Sequence, residues 1–139
     1  MRASDRGSVT LWMLGLSMLL LIFGGLALDF WRALALQREL AAVADSAAVA
    51  AASGIDEERY RLTGEVSPEP DRARALALAS IEFQQVEPDE ASVALDIDGL
   101  EVTVTLGEPI ELGLLGVLVR DSEPILVRAS ASAVPELVP

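Results

Sequence analysis

The chain contains no cysteine, no histidine and no lysine. The absence of cysteine excludes disulfide bonds, thiolate metal sites and cysteine nucleophiles. Without histidine, the commonest general base and a common zinc ligand are also missing, so an enzyme would have to work with carboxylates, hydroxyl groups or Tyr60. We therefore expect a protein that is not an enzyme and that uses no cofactor and no metal ion.

Positive charge is scarce as well, because ten arginines face 22 acidic residues and the net charge is −12. From residue 29 onward the chain has eight arginines and 21 acids, a net charge of −13. Such a surface repels the phosphates of nucleic acids and anionic lipid headgroups. We expect no nucleic-acid partner and no small-molecule substrate, while a divalent cation or a basic protein surface stays open as a partner.

The stretch Val9 to Leu28 has no charged residue over twenty positions. As a helix it is roughly 30 Å long, which is the thickness of the hydrocarbon core of a bilayer. We interpret residues 9–28 as a transmembrane helix and residues 1–8 as a cytoplasmic tail. Positive charges before the span outnumber those just after it by one, which places the C-terminal part outside the cytoplasm.

A secretory signal peptide is the alternative interpretation of the same stretch. Gly25 and Ala27 are small enough to form a cleavage site before Leu28. The apolar run is, however, longer than the usual signal-peptide core of about 7–15 residues. We therefore expect the span to be retained.

Helix-forming residues continue after the span without proline as far as Gly54, which suits a helix end. Residues 29–54 form an amphipathic, alanine-rich continuation, so the sequence predicts one helix of about 45 residues, roughly 65 Å long. Asp45 is the charged residue of the alanine-rich part. It is interpreted either as a solvated or arginine-paired residue, or as a contact that fixes register in an assembly.

Residues 55–139 are enough for one small extracytoplasmic domain. An acidic connector is expected at 55–65, followed by a short helix from about residue 72 to residue 85. The helix is expected to bury a set of apolar side chains, namely Leu76, Ala79, Ile81 and Phe83 or their close equivalents.

Alternating apolar residues on both sides of Asp98-Gly99 predict a β-hairpin with a type I′ turn. In that register Val93 faces Val104 and Leu95 faces Val102. A third strand is predicted at 125–133, with small inward residues that leave room for the alanine half of the first helix. The loop 107–124 has an apolar middle at 110–119, which either covers the core or contacts a neighbour or the membrane surface. The expected class is α+β, with a long N-terminal helix, a second short helix and a small antiparallel sheet of about three strands, as in pilins.

The first part of the chain resembles the TadE/TadG-like proteins of the tight-adherence (Flp) pilus-assembly system. The likeness lies in RGSVT at 6–10, GGLALD at 24–29, REL at 38–40 and ADSAAVA at 44–50. It covers about the first 54 residues. The resemblance implies a bacterial, pilin-like protein of a pilus or secretion apparatus, with membrane lipid and other pilus proteins or pilin-like subunits as partners.

The resemblance also implies candidate functional residues. Family members that a prepilin peptidase processes are cut after a glycine such as Gly7, leaving a residue such as Ser8 first, and carry a glutamate five residues later. Trp12 stands at that place here. Because the glutamate helps subunits to join a filament, we expect a minor pilin or an accessory protein that stays anchored. Trp12, Asp29 and Asp45 are its candidate assembly contacts.

Two other functions remain open at this point. One is an acidic binding module, secreted or anchored, that is released by cleavage near Ala27. The other is a hydrolase that uses two carboxylates facing each other across a cleft, and Asp96 and Asp98 are the only pair that the sequence pattern brings together. Asp98 already belongs to the predicted turn, so the pilus-assembly component is the function that we expect.

Overall fold

The longest element in the computed structural model is a single helix of 48 residues, α1 (Asp5–Ala52). The structure describes residues 5–95, 101–111, 113 and 124–135. These residues also form the helices α2 (Glu57–Thr63) and α3 (Pro70–Phe83) and the strands β1 (Glu90–Leu95), β2 (Val102–Ile110) and β3 (Ile125–Ala133). The predicted α+β class, with its long N-terminal helix and three-stranded antiparallel sheet, is confirmed.

The predicted helix end at Gly54 is nearly right in position, but its physical reason is different. Gly54 does not take the left-handed conformation typical of a residue that ends a helix; that conformation occurs at Gly64, where φ is 76°. Gly54 is instead buried where α1 meets α3. A Cβ atom there would lie 3.1 Å from the backbone nitrogen of Ala73 and 3.2 Å from the carbonyl oxygen of Ala51.

The expected connector at 55–65 contains a short helix, α2. This helix was not predicted, because its run of charged residues is typical of a loop. Asp56 caps it, since its Oδ1 accepts a hydrogen bond from the backbone N–H of Arg59 at 2.9 Å, and Gly64 ends it. The acids at its start and Arg61 at its end also favour its dipole. α2 buries no residue, so it adds little to the core.

α3 buries a different face from the one that the sequence predicted. Its buried residues lie four positions apart: Ala73, Ala77 and Ile81. Ile81 was predicted correctly and Leu76 is half-buried, but Ala79 and Phe83 are exposed, Phe83 by 88%. The small side chains of Ala73 and Ala77 let α3 approach α1 closely, and this decides the orientation against the larger apolar residues.

The sheet has the predicted register. β1 pairs with β2 through Val93 opposite Val104 and Leu95 opposite Val102, and β3 pairs with the other edge of β2 over the predicted residues 125–133. The Asp98-Gly99 turn lies outside the described residues. So does most of the apolar segment 110–119, of which residues 110, 111 and 113 are described.

The core lies between the second half of α1, α3 and one face of the sheet. Its largest fully buried side chains are few: Leu40, Leu106, Val102 and Val104. The α1 side of the core is otherwise mainly alanine, at positions 44, 47, 48 and 51. The predicted packing of this alanine face on β3 is confirmed. Because alanine has no long side chain, the helix and the sheet approach closely.

Candidate functional site

The two halves of α1 have different surroundings. From Val9 to Leu28 nearly every side chain is exposed, including Trp12, which is 78% exposed, and Leu21, which is 72% exposed. An apolar surface of this extent is unfavourable in water and marks a contact with lipid or with another protein. From Leu40 onward, one face is buried against the domain and the other stays exposed.

The apolar half of α1 fits a bilayer. By length and composition, the helix is able to cross a membrane, and only 6% of its most apolar window is buried within the protein. The apolar half of α1 is therefore not part of the core of the domain. The exposed band corresponds to the predicted span.

Asp29 lies at the boundary between the two halves and is 5% exposed. Its Oδ1 accepts a hydrogen bond from the backbone N–H of Gly113 at 3.0 Å. A Cβ atom at residue 113 would lie 3.0 Å from that oxygen and 3.4 Å from Nη1 of Arg32, so glycine allows the close approach. Asp29 thus joins the segment after β2 to the end of the span, a contact within the chain that the sequence did not predict.

The other candidate residues lie apart from Asp29 along the same helix. The bond between Gly7 and Ser8 is in the first turn of α1, and Trp12 is about 25 Å from Asp29 along the axis. Asp45 is exposed on the side of α1 that faces away from the sheet. The structure therefore does not bring the five candidates together into one site.

One polar contact between helices was missed by the sequence analysis. Nε2 of Gln84 donates a hydrogen bond to Oγ of Ser46 at 2.7 Å, and Oγ of Ser46 donates to the carbonyl oxygen of Val43 at 2.9 Å. The contact joins the end of α3 to the C-terminal part of α1. No sequence signal could have found it, since a serine in a helix usually bonds its own backbone and its partner here is 38 residues away.

The described residues contain no group of three or more acidic side chains arranged to hold a metal ion. Their ion pairs are exposed and lie within the domain: Arg59 with Glu65, Arg61 and Arg72 with Glu57, and Arg128 with Glu90. The features that distinguish the surface are therefore the exposed apolar band and the exposed face of α1 that follows it.

The same region matches a known family. Residues 7–54 match the Tad family model, described as Flp pilus-assembly TadE/G-like. No curated protein and no solved structure matches the chain. The matched residues coincide with α1 (Asp5–Ala52) and the two residues after it. The resemblance predicted from the motifs is thereby confirmed: residues 7–54 are similar to the TadE/G-like segment of the Flp pilus-assembly family.

Proposed function

We propose that this protein is a single-span, membrane-anchored component of a bacterial Tad/Flp-type pilus assembly or secretion apparatus, acting as a minor pilin or TadE/TadG-like accessory protein. One observation carries the proposal. The family match covers residues 7–54 and ends two residues after α1, so the matched unit is essentially one helix with an exposed apolar half and an amphipathic half that supports the domain.

The protein acts by packing and not by catalysis. The family is generally non-catalytic, and the ion pairs of the described residues are exposed. Residues 9–28 lie in lipid, residues 29–54 continue the helix outside the membrane, and residues 55–139 form an acidic extracytoplasmic domain. Its partners are lipid and other pilus proteins, with no nucleic acid and no small-molecule substrate.

Removing and restoring the gene in the native host tests the proposal. Cells that lack the protein are expected to lose surface pili by electron microscopy, and the full chain is expected to restore them. A matched variant, Leu19→Arg, places a charge in the middle of the apolar band and is expected to fail to restore pili, whereas Leu19→Met restores them. Unchanged piliation in the deletion strain would refute the proposed function.

The membrane anchor is tested by the intact mass and the first residue of the protein recovered from the membrane fraction. An unprocessed chain supports a permanent anchor. A chain that starts at Ser8 points to prepilin-type processing in spite of Trp12 and to entry into a filament. A chain that starts near Leu28 would refute the anchor and leave a released acidic module.

A further inference from the structure

The exposed face of α1 beyond the span carries a regular pattern. Its residues follow one another at alternating steps of four and three: Trp31, Ala35, Arg38, Ala42, Asp45 and Val49. We call this set the outer seam. All six residues are exposed, and the opposite face of α1 contacts α3 and the sheet. A repeat of 3.5 residues is the spacing by which helices pack along one another in coiled coils.

Solvation alone does not explain the residues of the outer seam. Trp31 is 66% exposed and Val49 is 59% exposed, although large apolar side chains favour burial. Arg38 and Asp45 lie between them, and within the part of the chain that the structure describes neither takes part in an ion pair. They are seven residues apart, almost two helical turns, so they share one side of the helix at an axial separation of about 10.5 Å.

We propose that a second copy of this chain packs parallel to the first along the outer seam with a shift of seven residues, so that Arg38 of one copy contacts Asp45 of the other. The parallel direction rests on the proposed function, because two copies anchored in the same membrane share one orientation. Opposite charges at the seam positions then select the shift.

The alternative without a shift is unfavourable. In register, Arg38 would face Arg38 and Asp45 would face Asp45, and like charges across a helix pair are destabilising. A shift of seven residues keeps the same seam positions in contact and converts both repulsions into one attraction.

The neighbours of the charged pair also fit the shifted arrangement. Ala35 then faces Ala42, and two alanines allow the backbones to approach closely. Trp31 faces Arg38 of the neighbouring copy, where the guanidinium is able to stack on the indole ring. Gly24, which is exposed and has no heavy atom within 4 Å of an added Cβ, would receive Trp31 of the neighbour.

The shift makes the interface heterologous. Each copy uses Arg38 toward one neighbour and Asp45 toward another, so the contact does not close on itself as a two-fold dimer does. Each added copy is displaced by about 10.5 Å along the helix axis against a hydrocarbon core of roughly 30 Å. Within one membrane the shifted contact therefore joins a pair of copies, and a longer array would have to leave the bilayer.

Disulfide cross-linking tests the shift directly, because the chain has no cysteine of its own. Two differently tagged full-length variants, Ala35→Cys and Ala42→Cys, are produced together in native host cells that lack the chromosomal copy, and the membranes are oxidised. The shifted arrangement is expected to give the mixed disulfide at least tenfold more than either homodimer. Dominant homodimers indicate an unshifted pair and would overturn the proposal, as would the absence of any cross-link.

A matched control uses Ala41→Cys in place of Ala42→Cys. Residue 41 is also exposed but lies about 100° around the helix, so its cross-link with Ala35→Cys is expected at background level. An equal yield from both positions would show random collision and would also overturn the proposal.

Charge exchange supplies a second measurement. Arg38→Asp and Asp45→Arg are each expected to lower the mixed cross-link at least fivefold, and the double variant is expected to restore it. The two residues are too far apart to compensate within one chain, so recovery requires a contact between copies. A double variant that stays as low as the single ones contradicts the shifted seam.

The two proposals fail in different ways. If pili persist without the protein but the mixed cross-link forms, the proposed function is wrong and the outer seam stands. If pili require the protein but the homodimers dominate, the outer seam is wrong and the proposed function stands.

Discussion

The close packing of α1 on the domain makes a sharp prediction at Ala47. This residue is fully buried in the core cluster, among alanines that set the distance between α1, α3 and the sheet. Ala47→Leu keeps a strong helix former, and its cost in helix propensity is only about 0.2 kcal/mol. The larger side chain has no space, however, and such overpacking typically costs about 1–3 kcal/mol.

Hydrogen exchange of the full chain in detergent micelles measures this cost. The backbone amides of the central strand β2 are expected to exchange about 5- to 150-fold faster in Ala47→Leu, which corresponds to a loss of about 1–3 kcal/mol in the free energy of unfolding. Ala41→Leu is the matched control, because Ala41 is exposed on the same helix. Equal exchange rates in the two variants would refute the view that the alanine face sets the distance between the helix and the sheet.

Three further predictions concern contacts elsewhere in the domain. Gly54→Ala is expected to destabilise the domain by about 1–3 kcal/mol in the same exchange measurement, because the added Cβ meets backbone atoms of two helices; unchanged exchange would show that the helices separate without cost. Asp29→Ala is expected to speed hydrogen exchange of the Gly113 amide about tenfold or more, because it removes the carboxylate oxygen that accepts the hydrogen bond of this amide. Asp29→Asn keeps an oxygen acceptor and is expected to have a smaller effect, so equal effects of the two variants would contradict the hydrogen bond. A double-mutant cycle on Glu90 and Arg128 is expected to give a coupling below about 1 kcal/mol, because both side chains are more than half exposed; a larger coupling would mean that this pair is shielded from water.

The resemblance to the TadE/G-like family was predictable from the first part of the chain, because its motifs are local in sequence. The order of charge, apolar span and alanine run predicts a helix that passes from lipid to water, and residues 7–54 match the family over the same region. The sheet register was also predictable, because alternation with a period of two allows one register to place Val93 and Val104 on the same face.

The helix α2 and the buried face of α3 were less accessible to sequence analysis. α2 has capping residues but no apolar side, and its charges alone are typical of a loop. In α3, hydrophobicity favoured the large residue Phe83, while close packing on α1 selected Ala73 and Ala77. The sequence of one helix does not determine the distance to the helix packed against it. The tertiary contact with α1 therefore decided which face of α3 is buried.

The sequence by itself determined the apolar stretch, the long helix, the strands and the resemblance to the TadE/G-like family, because periodicity and composition act through residues that are near one another along the chain. Only the tertiary structure decided the role of Asp29, whose partner Gly113 is 84 residues away, and the contact of Ser46 with Gln84. It also decided which face of α1 stays exposed. Arg38 and Asp45 become a candidate pair between copies because the domain packs on the opposite side of the helix.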